Sequence, residues 1–234
     1  LFPEYWQINA LVHGLKCRVF PSIASYRIGH DKVEMTRAFQ TVAPEHTPWT
    51  LIEANGPQER DMLWDTMALP FVAKLPKASM GEGVWLIESR ADWLKYCDRT
   101  DVLYVQEYLP IDRDVRVVVV GDRVVTAYWR TQAEQGFYNN VARGGQIVAG
   151  DVPAVATDLA LRLARELEVD HAGFDIALVE GYPYVLEFNR LFGNQGLGQG
   201  SDLKDAILDY LQRQSRPQDP DGPTEPTPLW PIAV

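Results

Sequence analysis

A hairpin predicted over residues 173–189 constrains this chain more than any other segment. Apolar and polar residues alternate on both sides of Glu180-Gly181-Tyr182. If those three residues form the loop of an antiparallel hairpin, Asp175 lies directly opposite Glu187. Alternation then turns one apolar set toward a core: Ile176, Leu178, Tyr184, Leu186 and Phe188. The pairing depends on the loop, because a two-residue loop would offset it.

The other side of this ribbon carries Asp175, Glu187 and Asn189. Two carboxylates directly opposite each other repel and oppose folding. Together with an amide oxygen they are suitable ligands for a hard cation such as Mg²⁺ and for the phosphates bound to it. The alternative is a pair of solvated acids on an exposed strand. The glycine-rich stretch that follows, 193–198, favours the metal site.

Three further segments suggest nucleotide chemistry, although each has an ordinary structural interpretation. Lys74 ends a predicted strand, and a loop with three small residues, Ser79, Gly81 and Gly83, follows it. Such loops form concavities for anionic oxygens, but G-x-G between strands is also typical of a hairpin turn. The strand end at 106–109 alone indicates only a sheet edge. Three polar residues downstream suit phosphate or carboxylate, or a solvated surface: Arg130, Asn140 and Arg143.

Composition excludes several classes of protein. The 234 residues carry a net charge of −10, which opposes a broad nucleic-acid contact surface. No apolar run approaches the ~20 residues of a membrane span, so we expect neither a nucleic-acid nor a membrane partner. The two cysteines, Cys17 and Cys97, are far apart, which favours a reducing compartment and a cytoplasmic location. Strands and helices come in separate mixed groups, which predicts an α+β fold.

Taken in order, these segments resemble the ATP-grasp ligases, and most closely the RimK-type amino-acid ligases. The matching stretches run from Asp31-Lys32 to Glu187-Phe188-Asn189 and include Phe71-Val72-Ala73-Lys74, Gln106-Glu107-Tyr108-Leu109, Asp114-Val115-Arg116, Arg143-Gly144-Gly145 and Gly173-Phe174-Asp175. The resemblance implies two mixed α+β lobes that grip ATP between them. It implies an N-terminal lobe over 31–109 and a C-terminal lobe with the hairpin over 110–214. Residues 1–30 would be the remnant or end of a preceding α/β region, and 215–234 a proline-rich tail.

The resemblance also assigns roles to individual residues. It implies nucleotide contacts from Lys32, Lys74, Ser79, Gly81, Gly83, Gln106, Glu107, Tyr108, Leu109 and Asp114. It implies Mg²⁺ ligation by Asp175, Glu187 and Asn189, with Mn²⁺ as a second candidate cation. Arg130, Asn140 and Arg143 match positions near the γ-phosphate and the acyl phosphate. Two departures stand out, namely Tyr138 in place of the usual arginine and Arg190-Leu191-Phe192 in place of a stretch with proline.

The function implied is ATP- and Mg²⁺-dependent joining of a carboxylate to an amine through an acyl phosphate. The partners would be small-molecule or peptide carboxylates and amines, of amino-acid or peptide-like character. An ATP-grasp kinase and a non-catalytic nucleotide-binding module remain alternatives, and a homo-oligomer is left open.

Overall fold

The chain folds around two antiparallel sheets. The computed structural model describes residues 4–77, 83–131, 146–148, 150–192 and 201–215. Within them the helices are α1 (Tyr5–Asn9), continued by a π-helical turn over Ala10–Gly14, α2 (Ile23–Ile28), α3 (Lys32–Val42), α4 (Pro57–Thr66), α5 (Arg90–Cys97), α6 (Ala154–Glu166) and α7 (Ser201–Ser215), with a 3₁₀ turn over Pro44–His46. The strands are β1 (Thr50–Ala54), β2 (Phe71–Lys74), β3 (Val84–Ile87), β4 (Val102–Glu107), β5 (Arg113–Val120), β6 (Arg123–Thr131), β7 (Gln146–Val148), β8 (His171–Val179) and β9 (Tyr182–Asn189).

The first sheet, in the order β1-β4-β2-β3, is covered by α4 and α5. Pro57 is the first residue of α4. A backbone N–H at this position would make no hydrogen bond within the helix, so proline removes none. Ser89 caps α5, because its hydroxyl accepts a hydrogen bond from the Asp92 backbone N–H at 3.3 Å. The helices bury Leu63 and Trp93 against Phe71 of β2, and all three side chains are fully buried.

The second sheet, in the order β7-β6-β5-β8-β9, has β5 at its centre. Alternate residues of a strand point to opposite faces, so Val115, Val117 and Val119 share one face. That face packs against α6 and forms the main core, in which Leu163 is fully buried. The opposite face carries the polar residues of β5, Asp114 and Arg116, and packs in part against α7.

The hairpin of β8 and β9 has a two-residue loop, Glu180-Gly181, because Val179 pairs directly with Tyr182. Both loop residues have positive φ, +52° and +83°, as expected in a type I′ hairpin turn. The predicted three-residue loop was therefore wrong. Ile176 pairs with Val185, not with Leu186 as expected.

A bulge nevertheless restores the predicted pairing near the other end of the hairpin. The register shifts by one residue between Asp175 and Ile176, so that Leu186 on β9 is the extra residue. Asp175 consequently lies opposite Glu187, as predicted. Val185, expected on the polar side, is instead buried in the core.

Helix α3 connects the two sheets. The Asp31 carboxylate caps it by accepting a hydrogen bond from the Val33 N–H at 2.7 Å. Met35 and Phe39 are buried in the core of the second sheet, although the sequence grouped this helix with the first. The domain boundaries themselves stay a prediction.

In the part of the chain that the structure describes, no helix has both the length and the apolar character that crossing a bilayer requires.

Candidate active site

Four charged side chains are buried on the polar face of the second sheet. Asp114 on β5 pairs in register with Arg130 on β6, and Arg116 on β5 pairs with Asp175 on β8. Their exposed fractions are only 3–7%. We call Asp114, Arg116, Arg130 and Asp175 the buried tetrad. It contains two positive and two negative groups, so its formal charges balance.

The tetrad is held by bidentate ion pairs. Arg116 binds both oxygens of the Asp175 carboxylate, through Nε to Oδ1 and through a terminal nitrogen to Oδ2 at 2.9 Å. Arg130 binds both oxygens of Asp114 at 2.8 and 2.7 Å. A terminal nitrogen of Arg130 also lies 3.0 Å from Oδ2 of Asp175. Planar guanidinium groups suit such parallel contacts, and the tetrad is consequently one connected network.

The two acids of the tetrad have different electrostatic environments. Burial would raise the pKa of Asp175, but the charges of Arg116 and Arg130 outweigh it and hold that pKa below its usual value. Burial raises the pKa of Asp114 to about 6, because Arg130 opposes it only in part and the Asp175 charge adds to it. Asp175 is therefore the more firmly ionised of the two.

Glu187 lies opposite Asp175 and borders the more open part of the site. Its side chain is 36% exposed, and its Oε2 lies 3.9 Å from Nζ of Lys32. Asn189 donates a hydrogen bond from Nδ2 to Glu187 Oε1 at 3.1 Å. The two predicted metal ligands on β9 thus contact each other, and a lysine from α3 approaches them.

The three predicted metal ligands fit a hard cation in chemical type, since they offer two carboxylates and an amide oxygen. Across the described ranges there is no cluster of three or more His, Cys, Asp and Glu residues that could hold a metal ion, so the third ligand would have to be Asn189. Asp175 would have to share its carboxylate with Arg116 and Arg130.

Lys74 is the buried charge of the first sheet. Its Nζ donates a hydrogen bond to Gln106 Oε1 at 2.7 Å, and Gln106 donates to the Thr50 hydroxyl at 2.8 Å. Nζ also lies 5.6 Å from the centre of the Tyr104 ring. Burial lowers the pKa of Lys74 to about 8, and the negative charge of Glu187 opposes that shift. Lys74 is therefore within electrostatic range of Glu187, although the two residues belong to different sheets.

The predicted adenine hinge follows the end of β4. The strand ends at Glu107, two residues earlier than the predicted end at Leu109. The Glu107 carboxylate accepts a hydrogen bond from the Trp49 N–H at 2.7 Å, so this side chain secures the start of β1. The Leu109 carbonyl accepts from the Ile111 N–H at 2.9 Å, and Tyr108 is half-buried between these contacts.

Several predicted site residues lie outside the described residues: Ser79, Gly81, Asn140 and Arg143, together with Tyr138. At the base of the glycine loop, the Gly83 carbonyl accepts a hydrogen bond from the Leu75 N–H at 2.6 Å.

Of the other predicted residues, the structure joins Asp114, Arg130 and Asp175 in the tetrad. It also places Glu187 against Lys32 and Asn189, with Lys74 in electrostatic range. It adds one residue that the prediction missed. Arg116 belongs to a matching stretch, but no role was assigned to it. A signal was present, because Arg116 is two residues from Asp114 on one strand and therefore shares its face.

Comparison with known proteins now identifies the family. A family model described as the RimK-like ATP-grasp domain matches residues 37–211. The chain belongs to this family. Members of the family are ATP-dependent ligases that form C–N bonds, so the predicted α+β ATP-grasp fold and ligase family are confirmed.

Relatives of this RimK-like protein differ in how much of their length it matches. A probable alpha-L-glutamate ligase of Citrobacter koseri is 31% identical in a match that covers 86% of this chain and 72% of that protein. A ribosomal protein bS6–L-glutamate ligase of Escherichia fergusonii is 33% identical over 70% of this chain, and the match spans only 58% of that protein. A RimK domain ATP-grasp protein of Sphaerobacter thermophilus has the same fold, with a TM-score of 0.69 at 21% identity over 87% of this chain and 75% of its own.

Proposed function

We propose that this RimK-like protein uses ATP and Mg²⁺ to join a carboxylate to an amine through an acyl phosphate. The observation that carries the proposal is the pairing of Asp175 with Glu187, with Lys32 3.9 Å from the latter. Opposed acids beside a lysine suit the binding of a metal–triphosphate complex better than they suit a solvated strand face.

Each group has a specific part in this function. Asp175, Glu187 and Asn189 would hold Mg²⁺, which when bound supplies positive charge to the terminal phosphates. Lys32 and Lys74 neutralise phosphate oxygens, with Lys74 fixed by its hydrogen bond to Gln106. The segment 107–109 holds the adenine base. Positioning and electrostatics then provide most of the rate enhancement, as in other phosphoryl transfers.

The chemistry proceeds in two balanced steps. A carboxylate oxygen of the first substrate attacks the γ-phosphorus, the bond from that phosphorus to the β–γ bridging oxygen breaks, and ADP leaves with the electron pair. The amine nitrogen of the second substrate then attacks the acyl carbon. Phosphate leaves with its electron pair, the nitrogen loses a proton, and the amide forms. No side chain becomes covalently modified.

We further propose that one substrate is an acidic amino acid, free or within a peptide. The two curated relatives are named for L-glutamate, and one is named for a ribosomal protein. Arg190, next to Asn189, places its guanidinium 4.6 Å from the centre of the Tyr26 ring. Among the described residues it forms no salt bridge, so its charge is available to a carboxylate.

A screen for ADP release tests the proposal. The full chain is incubated with MgATP, glutamate and a panel of amino acids and peptides, and the products are analysed by mass spectrometry. An amide together with ADP supports ligation. A stable phosphorylated product would establish the kinase instead, and calorimetric ATP binding without turnover across the panel would establish the non-catalytic module.

Variants connect the activity to the site. D175A and E187A should abolish metal-dependent ADP release, while E53A, which removes an exposed strand carboxylate on β1, should leave it unchanged. R190A should raise KM for the acidic amino acid with little effect on kcat, and R190K should recover part of the loss. Full turnover in D175A or E187A contradicts the metal assignment.

A further inference from the structure

Arg116 has no part in the mechanism above, yet the fold makes room for it and binds it tightly. Its side chain runs across Gly173 on β8, where an added Cβ would lie 2.8 Å from the Arg116 Cδ. The residue is 7% exposed, and its guanidinium engages both oxygens of Asp175. A glycine and a bidentate pair together fix this arginine on the predicted metal ligand.

The contacts leave Asp175 little capacity for a cation. Its Oδ2 accepts from both Arg116 and Arg130, at 2.9 and 3.0 Å, and its Oδ1 accepts from Arg116. A carboxylate offers about four lone-pair sites, and three are occupied here. Its charge is also compensated, since two guanidinium groups share it. A bare dication that bound Asp175 would therefore come close to two fixed positive charges.

Nucleotide phosphates change this balance, because they bring negative charge with the metal. We propose that Arg116 is a positioning residue that takes the place of the metal ion on Asp175 in the nucleotide-free protein. The cation then binds only together with nucleotide phosphates, which compensate the guanidinium charge. The inference rests on the proposed function in one respect, namely that Asp175 is a metal ligand.

Binding of Mn²⁺ to the nucleotide-free full chain tests this, measured by electron paramagnetic resonance and calorimetry. The wild type should bind Mn²⁺ weakly. R116Q removes the competing charge, and its Mn²⁺ affinity should be at least about tenfold higher. R116K keeps a cation at the position and should bind as weakly as the wild type. R123Q, which removes an arginine on β6 from its exposed ion pair with Asp209 of α7, should match the wild type.

The double variant R116Q/D175N identifies the ligand, because it should lose the affinity that R116Q gains. Equal Mn²⁺ affinity in wild type and R116Q, or a gain that survives D175N, overturns the proposal. A purely structural role for Arg116 would lower stability without raising metal affinity.

A second measurement applies if R116Q does not fold by circular dichroism. A non-hydrolysable ATP analogue should raise the Mn²⁺ affinity of the wild type by at least about tenfold, as expected if phosphates supply the missing charge. Equal affinity with and without the analogue overturns the proposal. None of these assays needs turnover, so a chain that binds Mn²⁺ as predicted but ligates nothing would refute only the ligase proposal.

Discussion

The two sheets bury their charges in opposite ways. The first sheet buries a single charge, Lys74, among neutral partners such as Gln106. The second buries four charges that balance one another in the tetrad. Burial lowers the pKa of Lys74 to about 8, whereas in Asp175 two guanidinium groups overcome the effect of burial. A lone buried charge moves toward its neutral form, and a paired one is held ionised.

This difference separates the two parts of the site by function. The lysine that would contact phosphate can lose its proton within the range of ordinary buffers. Asp175, the acid that would hold the metal, stays ionised over the same pH range, because its pKa lies below the usual value for aspartate.

Breaking the charge balance of the tetrad should have the largest effect on the stability of the protein. R130L removes one cation and leaves the Asp114 carboxylate buried without a partner. We expect the free energy of unfolding to fall by about 3–5 kcal/mol, as for other broken buried ion pairs. Urea denaturation measures this loss.

A double variant serves as its counterpart. R130L/D114L removes both members of one pair and leaves Arg116 with Asp175, so much of the lost stability should return. R123L, which breaks only an exposed pair with Asp209, should cost about 0–1 kcal/mol. A loss in R130L no larger than in R123L would show that balance within the tetrad does not matter.

Crowding the tetrad with an added methyl group should lower the stability of the protein by a smaller amount. G173A places a methyl group 2.8 Å from the Arg116 Cδ and 3.2 Å from the Phe192 Cβ. Arg116 must shift while its guanidinium is held by Asp175, so we expect a loss of about 1–3 kcal/mol in unfolding free energy. G14A, at a glycine without positive φ where an added Cβ meets nothing within 4 Å, is the control for the loss of glycine's backbone freedom. Thermal denaturation compares the two.

The lone charge should respond to pH. Above pH 8 the free protein loses the Lys74 proton, and phosphate binds the charged lysine better. The affinity for MgATP should therefore fall by up to about tenfold between pH 7 and pH 9, with proton uptake on binding above pH 8. Calorimetry in buffers of different ionisation enthalpy detects that uptake. In K74M both effects should disappear, and their persistence would assign them to another group.

Removal of the Lys74 charge should have the smallest effect on the stability of the protein. K74M loses one hydrogen bond to Gln106 but no longer buries an ammonium group, so we expect no destabilisation beyond about 1 kcal/mol at pH 7. Between pH 8 and 10.5 the unfolded lysine holds its proton and the folded one does not. Wild-type stability should thus rise with pH relative to K74M over that window. A loss in K74M equal to that in R130L would remove the contrast between the sheets.

The sequence predicted local features well and distant ones poorly. The end of a strand at Lys74 depends on neighbouring residues and is confirmed. The opposition of Asp175 and Glu187 is also confirmed, but the prediction used a wrong loop length. A bulge corrected the register, and bulges leave no reliable trace in a hydrophobic pattern.

The tetrad shows why the rest could not be predicted. Arg116 and Asp175 meet through the pairing of β5 with β8, whose residues lie far apart along the chain. Alternation predicts that Arg116 shares a face with Asp114, but not which strand lies alongside. The bond between Lys74 and Gln106 likewise joins separate strands. Which buried charges are paired was therefore knowable only from the fold.

Helix α3 has a consequence for motion. Its apolar side, including Phe39, is part of the second sheet's core. Its links to the first sheet include hydrogen bonds from the Lys32 N–H to the Pro76 carbonyl at 3.1 Å and between the Thr36 and Tyr104 hydroxyls at 2.7 Å. Hydrogen bonds like these contribute about 0.5–1.5 kcal/mol each, far less than a buried core. The contacts between α3 and the first sheet should therefore open more readily than those between α3 and the second sheet, and amide exchange should be faster at Lys32 than at Phe39.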